Sequence, residues 1–317
     1  MSDFLQVLGS FAALWMALWF ACAALLALGY RAIRAPLLGW HPAMAGNLLL
    51  LLLAFPFLLS FSTTALLFTP AFGSLVSVHC HTDCAAHMPV IATPGLVPIG
   101  LMLITLVCVL IWRRLALNLR TAKRLKAQLQ RLARHQRDFK LLESEQSLVF
   151  TLGWWQPTIY VSEGLEQRCS QQDMAVILAH EHAHSKRLDN VRLLAASLFT
   201  LVLPARLAKL MKDDLHLLVE SACDFEAAGR FGDLDVAETL LKVQRLSPAQ
   251  SQIGRQAIYS AFTGAEIEQR VGALVQGRQR SLKQHAGLQF SVLVLIGTSL
   301  ALVEPLHHGV EVLLGLP

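Results

Sequence analysis

Residues 174–190 read MAVILAHEHAHSKRLDN, and residues 180–184 within this stretch match the HExxH motif. On a helix, side chains four residues apart lie on the same face, so His180 and His184 can reach one zinc ion together. Zinc lowers the pKa of a water molecule that it binds, and the carboxylate of Glu181 can then take a proton from that water. This stretch therefore predicts a zinc site in which Glu181 is the general base.

The surroundings of the motif favour a functional site over a chance match. Ser170 and Asp173 have the spacing of a capping box, which predicts that a helix begins at this point. The residues from 174 to 179 are apolar, and histidine and glutamate are rarely buried in a core without a partner. We interpret His182, which points to another face of the same helix, as a bystander.

A zinc peptidase site needs a third protein ligand, and residues 215–230 predict a second helix, LHLLVESACDFEAAGR, that can supply it. Glu220 and Asp224 are four residues apart and share a face of that helix. The apolar neighbours of Glu220 predict its burial, and a zinc ion would compensate its charge. Asp224 would then hydrogen-bond the far nitrogen of a ligand histidine. His216 and Glu226 are weaker candidates for the third ligand, and ordinary surface acids are the alternative interpretation.

The 317-residue chain is unusually apolar, since 54% of its residues are hydrophobic and 15% are charged, against about 25% charged in ordinary soluble domains. This composition excludes a plain soluble enzyme and a disordered chain. The formal net charge is +5, and residues 113–140 alone contain ten basic residues and one acid. A basic stretch after an apolar segment is typical of a cytoplasmic membrane flank, so direct nucleic-acid binding is not expected.

Four apolar runs are candidates for membrane spans, which need about 20 residues each. They cover residues 4–30, 44–72, 90–112 and 286–303. The basic residues place the N-terminus outside and residues 113–285 in the cytoplasm. The predicted fold class is therefore mainly α, a polytopic membrane protein with four transmembrane helices and a cytoplasmic zinc peptidase domain. The predicted regions are a three-helix transmembrane region (1–112) with an outer loop (73–89), a basic cytoplasmic linker helix (113–140), a zinc metallopeptidase domain (141–285), a fourth transmembrane helix (286–303) and a short outer tail (304–317).

Residues 148–161 read LVFTLGWWQPTIYV and predict two short strands joined by a turn. A strand edge beside the zinc site could hold an extended peptide through backbone pairing. Gly153, Trp154 and Pro157 are therefore candidates for the substrate edge. A purely structural hairpin is an equally good interpretation of this segment.

The predicted outer loop contains the segment HCHTDCAAH at residues 79–87. Cys80 and Cys84 would form a disulfide in an oxidising compartment. The alternative is a site for a soft metal such as zinc or copper, because thiolates and imidazoles are suitable ligands for both.

Three segments of the chain together resemble the BlaR/MecR-type integral-membrane zinc peptidases, the antirepressor family of bacteria. These segments are HEHAH at 180–184, ESACD at 220–224 and GWWQPTIYVSEGL at 153–165. The predicted layout also resembles that family, with three spans, a basic cytoplasmic segment, the peptidase domain and a fourth span.

The resemblance implies a gluzincin-like α+β peptidase domain in the bacterial inner membrane. In such a domain His180, His184 and Glu220 would hold one Zn²⁺ ion per chain, and Glu181 would be the general base. The resemblance also implies cleavage of a cytoplasmic winged-helix repressor, or of the chain itself, in response to an envelope signal. The expected partners are membrane lipid and a protein substrate, and a homodimer is among the oligomeric states that stay open.

The antibiotic-sensing members of the family differ from this chain after the fourth span, where they carry a large extracellular penicillin-binding domain. Only residues 304–317 follow that span here, so direct β-lactam sensing is not expected. Two alternatives to repressor cleavage stay open, namely a membrane quality-control protease of the HtpX type and a non-catalytic receptor or scaffold that keeps the zinc fold. The intact Glu181 argues against the second alternative.

Overall fold

The computed structural model describes residues 2–69, 95–136, 138–246, 264–276, 294, 296–306 and 309. Helices dominate this part of the chain, and one sheet of four short strands lies near its middle. The helices are α1 (Ser2–Gly39), α2 (Pro42–Leu67), α3 (Leu96–Leu132), α4 (Glu163–Glu166), α5 (Gln171–Arg187), α6 (Asp189–Phe199), α7 (Ala205–Phe231), α8 (Asp233–Leu246), α9 (Gly264–Val275) and α10 (Ile296–Leu306). The strands are β1 (Ala133–His135), β2 (Lys140–Leu142), β3 (Val149–Leu152) and β4 (Thr158–Ser162).

Three of the described helices are long and apolar enough to cross a membrane. They are α1 from Phe4 onward, α2 and α3, and they correspond to the first three predicted spans. Of the fourth predicted span, at 286–303, the described part after residue 295 belongs to the short apolar helix α10. The helices therefore support a membrane protein, while the fourth span and the orientation stay predictions.

Helix α3 corrects one predicted boundary. The third apolar run and most of the basic stretch form one continuous helix, so the linker predicted at 113–140 is not a separate helix. No glycine or proline occurs between residues 101 and 132, so nothing ends the helix where it leaves the apolar region. Strand β1 and the first residue of β2 occupy the end of the predicted linker.

Helices α1 and α3 approach each other closely where both carry small residues. A Cβ atom added at Gly100 would lie 2.6 Å from the backbone nitrogen of Ala13, and one added at Gly9 would collide with Val97. Small residues allow membrane helices to pack through their backbones, where van der Waals contact is the main attraction. These glycines therefore hold α1 and α3 together as a pair.

The sheet has the strand order β1-β2-β4-β3, in which β2 and β4 are parallel and the other pairs are antiparallel. Strands β3 and β4 form the hairpin that residues 148–161 predict, with β3 at an edge of this sheet. Gly153 in the turn has a φ of 116°, a conformation that favours glycine. The hairpin thus presents one edge of β3 next to α5.

The helices of the peptidase region pack directly on the membrane helices. Helix α5 begins at the predicted capping box and ends at Leu188, whose left-handed φ of 52° turns the chain into α6. Helix α7 packs its buried Met211 and Leu215 in one hydrophobic cluster with Leu49 and Leu53 of α2. Helix α7, which carries Glu220 and Asp224, is therefore positioned against membrane helix α2, and α5 packs against α7.

Replacing Gly100 by alanine is expected to lower the apparent Tm, because overpacking a close contact costs about 1–3 kcal/mol. Gly29→Ala is the matched control, since a Cβ atom at that helical position meets nothing within 4 Å. Alanine in a helix interior is otherwise more favourable than glycine by roughly 0.5–1 kcal/mol. Thermal unfolding in detergent, followed by tryptophan fluorescence, measures both variants. Equal melting of the two variants would contradict the tight α1–α3 contact.

Candidate metal centre

Two histidine nitrogens meet on the buried face of α5. His180 and His184 lie one turn apart, and their Nε2 atoms are 3.1 Å from each other. His180 has only 9% of its surface exposed. The helix thus directs both imidazoles towards one point inside the protein.

Glu220 of α7 brings a carboxylate to the same point. Its Oε2 lies 3.5 Å from His180 Nε2, and its Oε1 lies 3.4 Å from His184 Nε2. In a tetrahedral zinc site with bonds of about 2.0–2.2 Å, neighbouring ligand atoms are roughly 3.3–3.6 Å apart. The two distances to the carboxylate match this spacing and the distance between the imidazole nitrogens is slightly shorter, so the three groups can hold a zinc ion with little adjustment.

Two further carboxylates face the far nitrogens of these histidines. Asp224 Oδ1 lies 3.0 Å from His180 Nδ1, and Asp189 Oδ2 lies 2.9 Å from His184 Nδ1. Both aspartates are almost completely buried. A carboxylate on Nδ1 selects the tautomer in which Nε2 is available to a metal. In both histidines, therefore, a carboxylate holds Nδ1 and Nε2 faces the candidate metal position.

Arg270 of α9 is the cation that accompanies these buried carboxylates. Its Nε and Nη2 donate hydrogen bonds of 2.6 and 2.7 Å to the two oxygens of Asp224. Its Nη1 lies 3.1 Å from Glu220 Oε2, and the side chain is 1% exposed. A buried charge is costly unless it is paired, so Arg270 stabilises both acids in their ionised forms.

The pKa values of the site follow from these contacts. Burial raises the pKa of Glu220, but electrostatic interactions with His184 and Arg270 outweigh burial and hold this pKa well below its ordinary value. The pKa of Asp224 is also lowered, because its interaction with Arg270 outweighs burial. Burial lowers the pKa of His180, but the hydrogen bonds to Asp224 and Glu220 outweigh it and raise the pKa to about 10. Both carboxylates are therefore ionised around neutral pH.

Glu181, the predicted general base, lies beside the ligand group. Its Oε2 accepts a hydrogen bond of 2.7 Å from Thr151 Oγ1, and the residue is 7% exposed. Thr151 belongs to the edge strand β3. One cavity is lined by Glu181 and β3 together with His180, His184 and Glu220. The predicted base, the predicted ligands and the strand edge thus face a common space.

The weaker candidates are placed differently. His216 lines the same cavity, but its Nδ1 is 4.0 Å from Glu220 Oε1. Glu226 forms an ion pair of 3.1 Å with Lys186. His182 is exposed, and its Nδ1 contacts the backbone of its own helix at 2.6 Å. Glu220 is therefore the residue of α7 that best suits the third ligand position.

The predicted substrate-edge residues lie in the turn between β3 and β4. Gly153, Trp154 and Pro157 are not among the described residues that line the cavity, whereas strand β3 is. Asn190 Nδ2 donates hydrogen bonds to the carbonyl oxygens of Gly153 (2.9 Å) and Thr151 (3.2 Å). The strand edge beside the ligands is thus closer to the site than the turn.

Of the six cysteines, one is buried beside the candidate ligands and two are the predicted outer-loop pair. Cys223 Sγ lies 3.3 Å from His184 Nδ1 and donates a weak hydrogen bond to Asp189 Oδ2 at 3.5 Å. Burial raises the pKa of this thiol well above its ordinary value, so it stays protonated. Cys80 and Cys84 lie outside the described residues, so their disulfide and metal alternatives both stay predictions.

Sequence reasoning missed four residues of the site, namely Thr151, Asp189, Asn190 and Arg270. Asp189 had a local signal, because an acidic residue just after the motif helix can fold back onto its last turn. Arg270 had none, since it belongs to a separate helix far along the chain and meets the other residues only through tertiary packing.

A comparison with protein-family models gives a match over residues 77–274 to the family described as BlaR1 peptidase M56. The chain belongs to this family. The matched region covers more than half of the chain and includes α5, α7 and Arg270. No curated protein and no solved structure matches the chain.

Family membership confirms the resemblance that the motifs indicate. As a member of the BlaR1 peptidase M56 family, the chain is a membrane metallopeptidase. Peptidases of this family are generally zinc-dependent, which agrees with the donor set at the centre of the site.

Replacing Arg270 by methionine is expected to destabilise the protein strongly. The variant leaves Asp224 and Glu220 buried without their cation, and removing one partner of a buried ion pair costs about 3–5 kcal/mol. Thermal unfolding of the chelator-treated protein in detergent measures the effect. Lys209→Met, which removes an exposed ion pair with Asp213, is the control and is expected to melt like wild type. If Arg270→Met also melts like wild type, Arg270 does not have this stabilising role.

Proposed function

We propose that the chain is an integral-membrane zinc endopeptidase with His180, His184 and Glu220 as metal ligands and Glu181 as general base. The observation that carries this proposal is the convergence of two imidazole nitrogens and a carboxylate at separations of 3.1, 3.4 and 3.5 Å. Membership in a peptidase family supports the reaction type.

The protein groups of the site have separate roles in peptide-bond hydrolysis. When bound, zinc supplies Lewis acidity that activates water and polarises a peptide carbonyl. Asp224 and Asp189 hold the ligand imidazoles through their Nδ1 atoms. The hydrogen bond from Thr151 orients the carboxylate of Glu181 through Oε2. Its Oε1 then accepts a proton from the attacking water and delivers it to the leaving amine nitrogen.

An extended peptide substrate would bind along the edge of strand β3. The carbonyl groups of Thr151 and Gly153 both bond Asn190, so they point away from β4. Since backbone direction alternates along a strand, Val149 presents its backbone to the same outer side. Val149 also lines the cavity. We therefore place the substrate backbone at the Val149 end of β3 rather than at the turn.

The finer role that we propose is signal-responsive proteolysis on the cytoplasmic side of the bacterial inner membrane. The substrate would be a winged-helix repressor or the chain itself. The family supports this role, and the basic end of α3 just before the sheet favours a cytoplasmic position of the peptidase region. Direct packing of α7 on α2 would let the membrane helices influence the site.

Glu181→Gln is expected to keep about one zinc ion per chain but to lose peptide cleavage, because a general base contributes about 10²–10⁴-fold to rate. His180→Ala is expected to lose both zinc and cleavage. His182→Ala is the matched control, since this exposed histidine of the same motif should be dispensable for both. Zinc content by elemental analysis and new N-termini in cells by mass spectrometry measure the two properties.

The pattern of new N-termini separates the proposal from its alternatives. Cleavage of one repressor, or of the chain itself, only with wild type supports signal-responsive proteolysis. Cleavage of many membrane proteins would favour a quality-control protease instead. If wild type and Glu181→Gln give identical N-termini, in unstressed cells and under copper or cell-wall stress, the peptidase proposal is wrong. A non-catalytic zinc scaffold would then be the better interpretation.

A further inference from the structure

The first turn of α6, residues 189–192, contacts a metal ligand, the strand edge and a membrane helix at the same time. The left-handed conformation of Leu188 makes this possible, because it reverses the chain directly after α5. The first residues of α6 therefore lie against the last turn of the helix that carries the HExxH motif. We call residues 189–192 the α6 junction.

Asp189 is the part of the α6 junction that reaches the metal ligand. Its Oδ2 lies 2.9 Å from His184 Nδ1, as described above. Its Oδ1 lies 3.4 Å from Arg187 Nε and 3.4 Å from Arg192 Nη1. Only 2% of Asp189 is exposed. The carboxylate is thus held between two guanidinium groups, and its position determines how the imidazole of His184 is oriented.

Arg192 extends this contact to the membrane region. Its Nη2 donates a hydrogen bond of 2.6 Å to Oδ1 of Asn47, which lies in the first part of α2. The Arg192 side chain is 13% exposed. Its planar guanidinium contacts Asn47 with one nitrogen and Asp189 with another, so it fixes the distance between the two. A continuous chain of polar contacts therefore runs from Asn47 through Arg192 and Asp189 to His184.

Asn190 links the same junction to the general base. Its Nδ2 bonds the carbonyl oxygens of Thr151 and Gly153 at the edge of β3. The hydroxyl of Thr151 in turn donates to Glu181 Oε2. The α6 junction thus contacts the proposed metal ligand His184 directly and reaches the proposed base through Thr151.

We infer that Asn47 and Arg192 are positioning residues for the metal centre, through which membrane helix α2 fixes the orientation of His184. The inference rests on the proposed function, since it requires His184 to bind zinc. Removing an outer partner of a metal ligand typically costs 10–100-fold in metal affinity or activity. A contact that only attached α6 to α2 would be different. Its loss would lower the stability of the fold but would not change the zinc affinity.

A double-mutant cycle on the full-length protein in lipid nanodiscs tests this inference. The zinc dissociation constant is measured by competition with a chelating dye for wild type, Asn47→Leu, Asp189→Asn and the double variant. We expect zinc affinity to fall about 10-fold or more for Asp189→Asn and by a smaller factor for Asn47→Leu. The double variant should bind zinc as Asp189→Asn does, because Asn47 acts only through Asp189.

Three further variants control for misfolding and for general effects on α2. Asn47→Asp keeps an acceptor oxygen for Arg192 and should restore zinc affinity and the visible spectrum of the cobalt-loaded protein. Arg192→Met breaks the same contact from the α6 side if Asn47→Leu does not fold. Ser62→Ala is the control, because it removes a polar contact that α2 makes with Ser299 at 2.7 Å, far along the helix from Asn47.

The possible results distinguish the inference from the proposed function. If wild type binds zinc and both Asn47→Leu and Arg192→Met bind it equally well, the positioning role is wrong and the zinc site stands. The role is also wrong if the losses of Asn47→Leu and Asp189→Asn simply add, since the two residues would then act independently. If wild type binds no zinc, the proposed function fails and the inference fails with it.

Discussion

The structure depends most on the burial of three carboxylates around two histidines. Glu220, Asp224 and Asp189 are all inside the protein, where an ionised group without a partner is strongly disfavoured. The histidines of α5 and Arg270 of α9 supply the compensating contacts. The charges therefore bring α5, α7 and α9 together at one point, in addition to the apolar contacts between these helices.

Several elements were predictable because their signals are local. The capping box at Ser170 and Asp173 marks the start of α5, and the HExxH spacing places both histidines on its buried face. The β-branched and aromatic run before and after Gly153 gives the β3–β4 hairpin. Apolar runs of membrane length give α1, α2 and α3. In each case the deciding interactions lie within a few residues along the chain.

Other features could not be predicted because they arise from tertiary contacts or from the absence of residues that end a helix. Arg270 reads as an ordinary basic residue of an amphipathic helix, and its partner Asp224 is recognisable only when α7 and α9 are packed. Asn190 bonds a strand that precedes it by about forty residues. The boundary after the third apolar run was expected from the change to basic residues, but composition alone does not end a helix without glycine or proline. Strands β1 and β2 have three residues each, which is too short for a pattern.

The two sides of the candidate metal centre make polar contacts with different membrane helices. On α7, Asp214 accepts two hydrogen bonds of 2.7 Å from Arg34 and one of 2.8 Å from Tyr30, both in α1. Asp214 precedes Glu220 by six residues, so at about 1.5 Å per residue the ion pair lies roughly 9 Å along the helix from Glu220. On the other side, Asn47 of α2 connects to His184 through the α6 junction. Because a helix is stiff over this distance, the separation between the carboxylate and the imidazoles depends on how α7 packs on α2 and on how α1 and α2 sit against each other. Their aromatic contacts, such as Trp19 on Phe57 with ring centroids 5.2 Å apart, therefore contribute to the geometry of a site that neither ring touches.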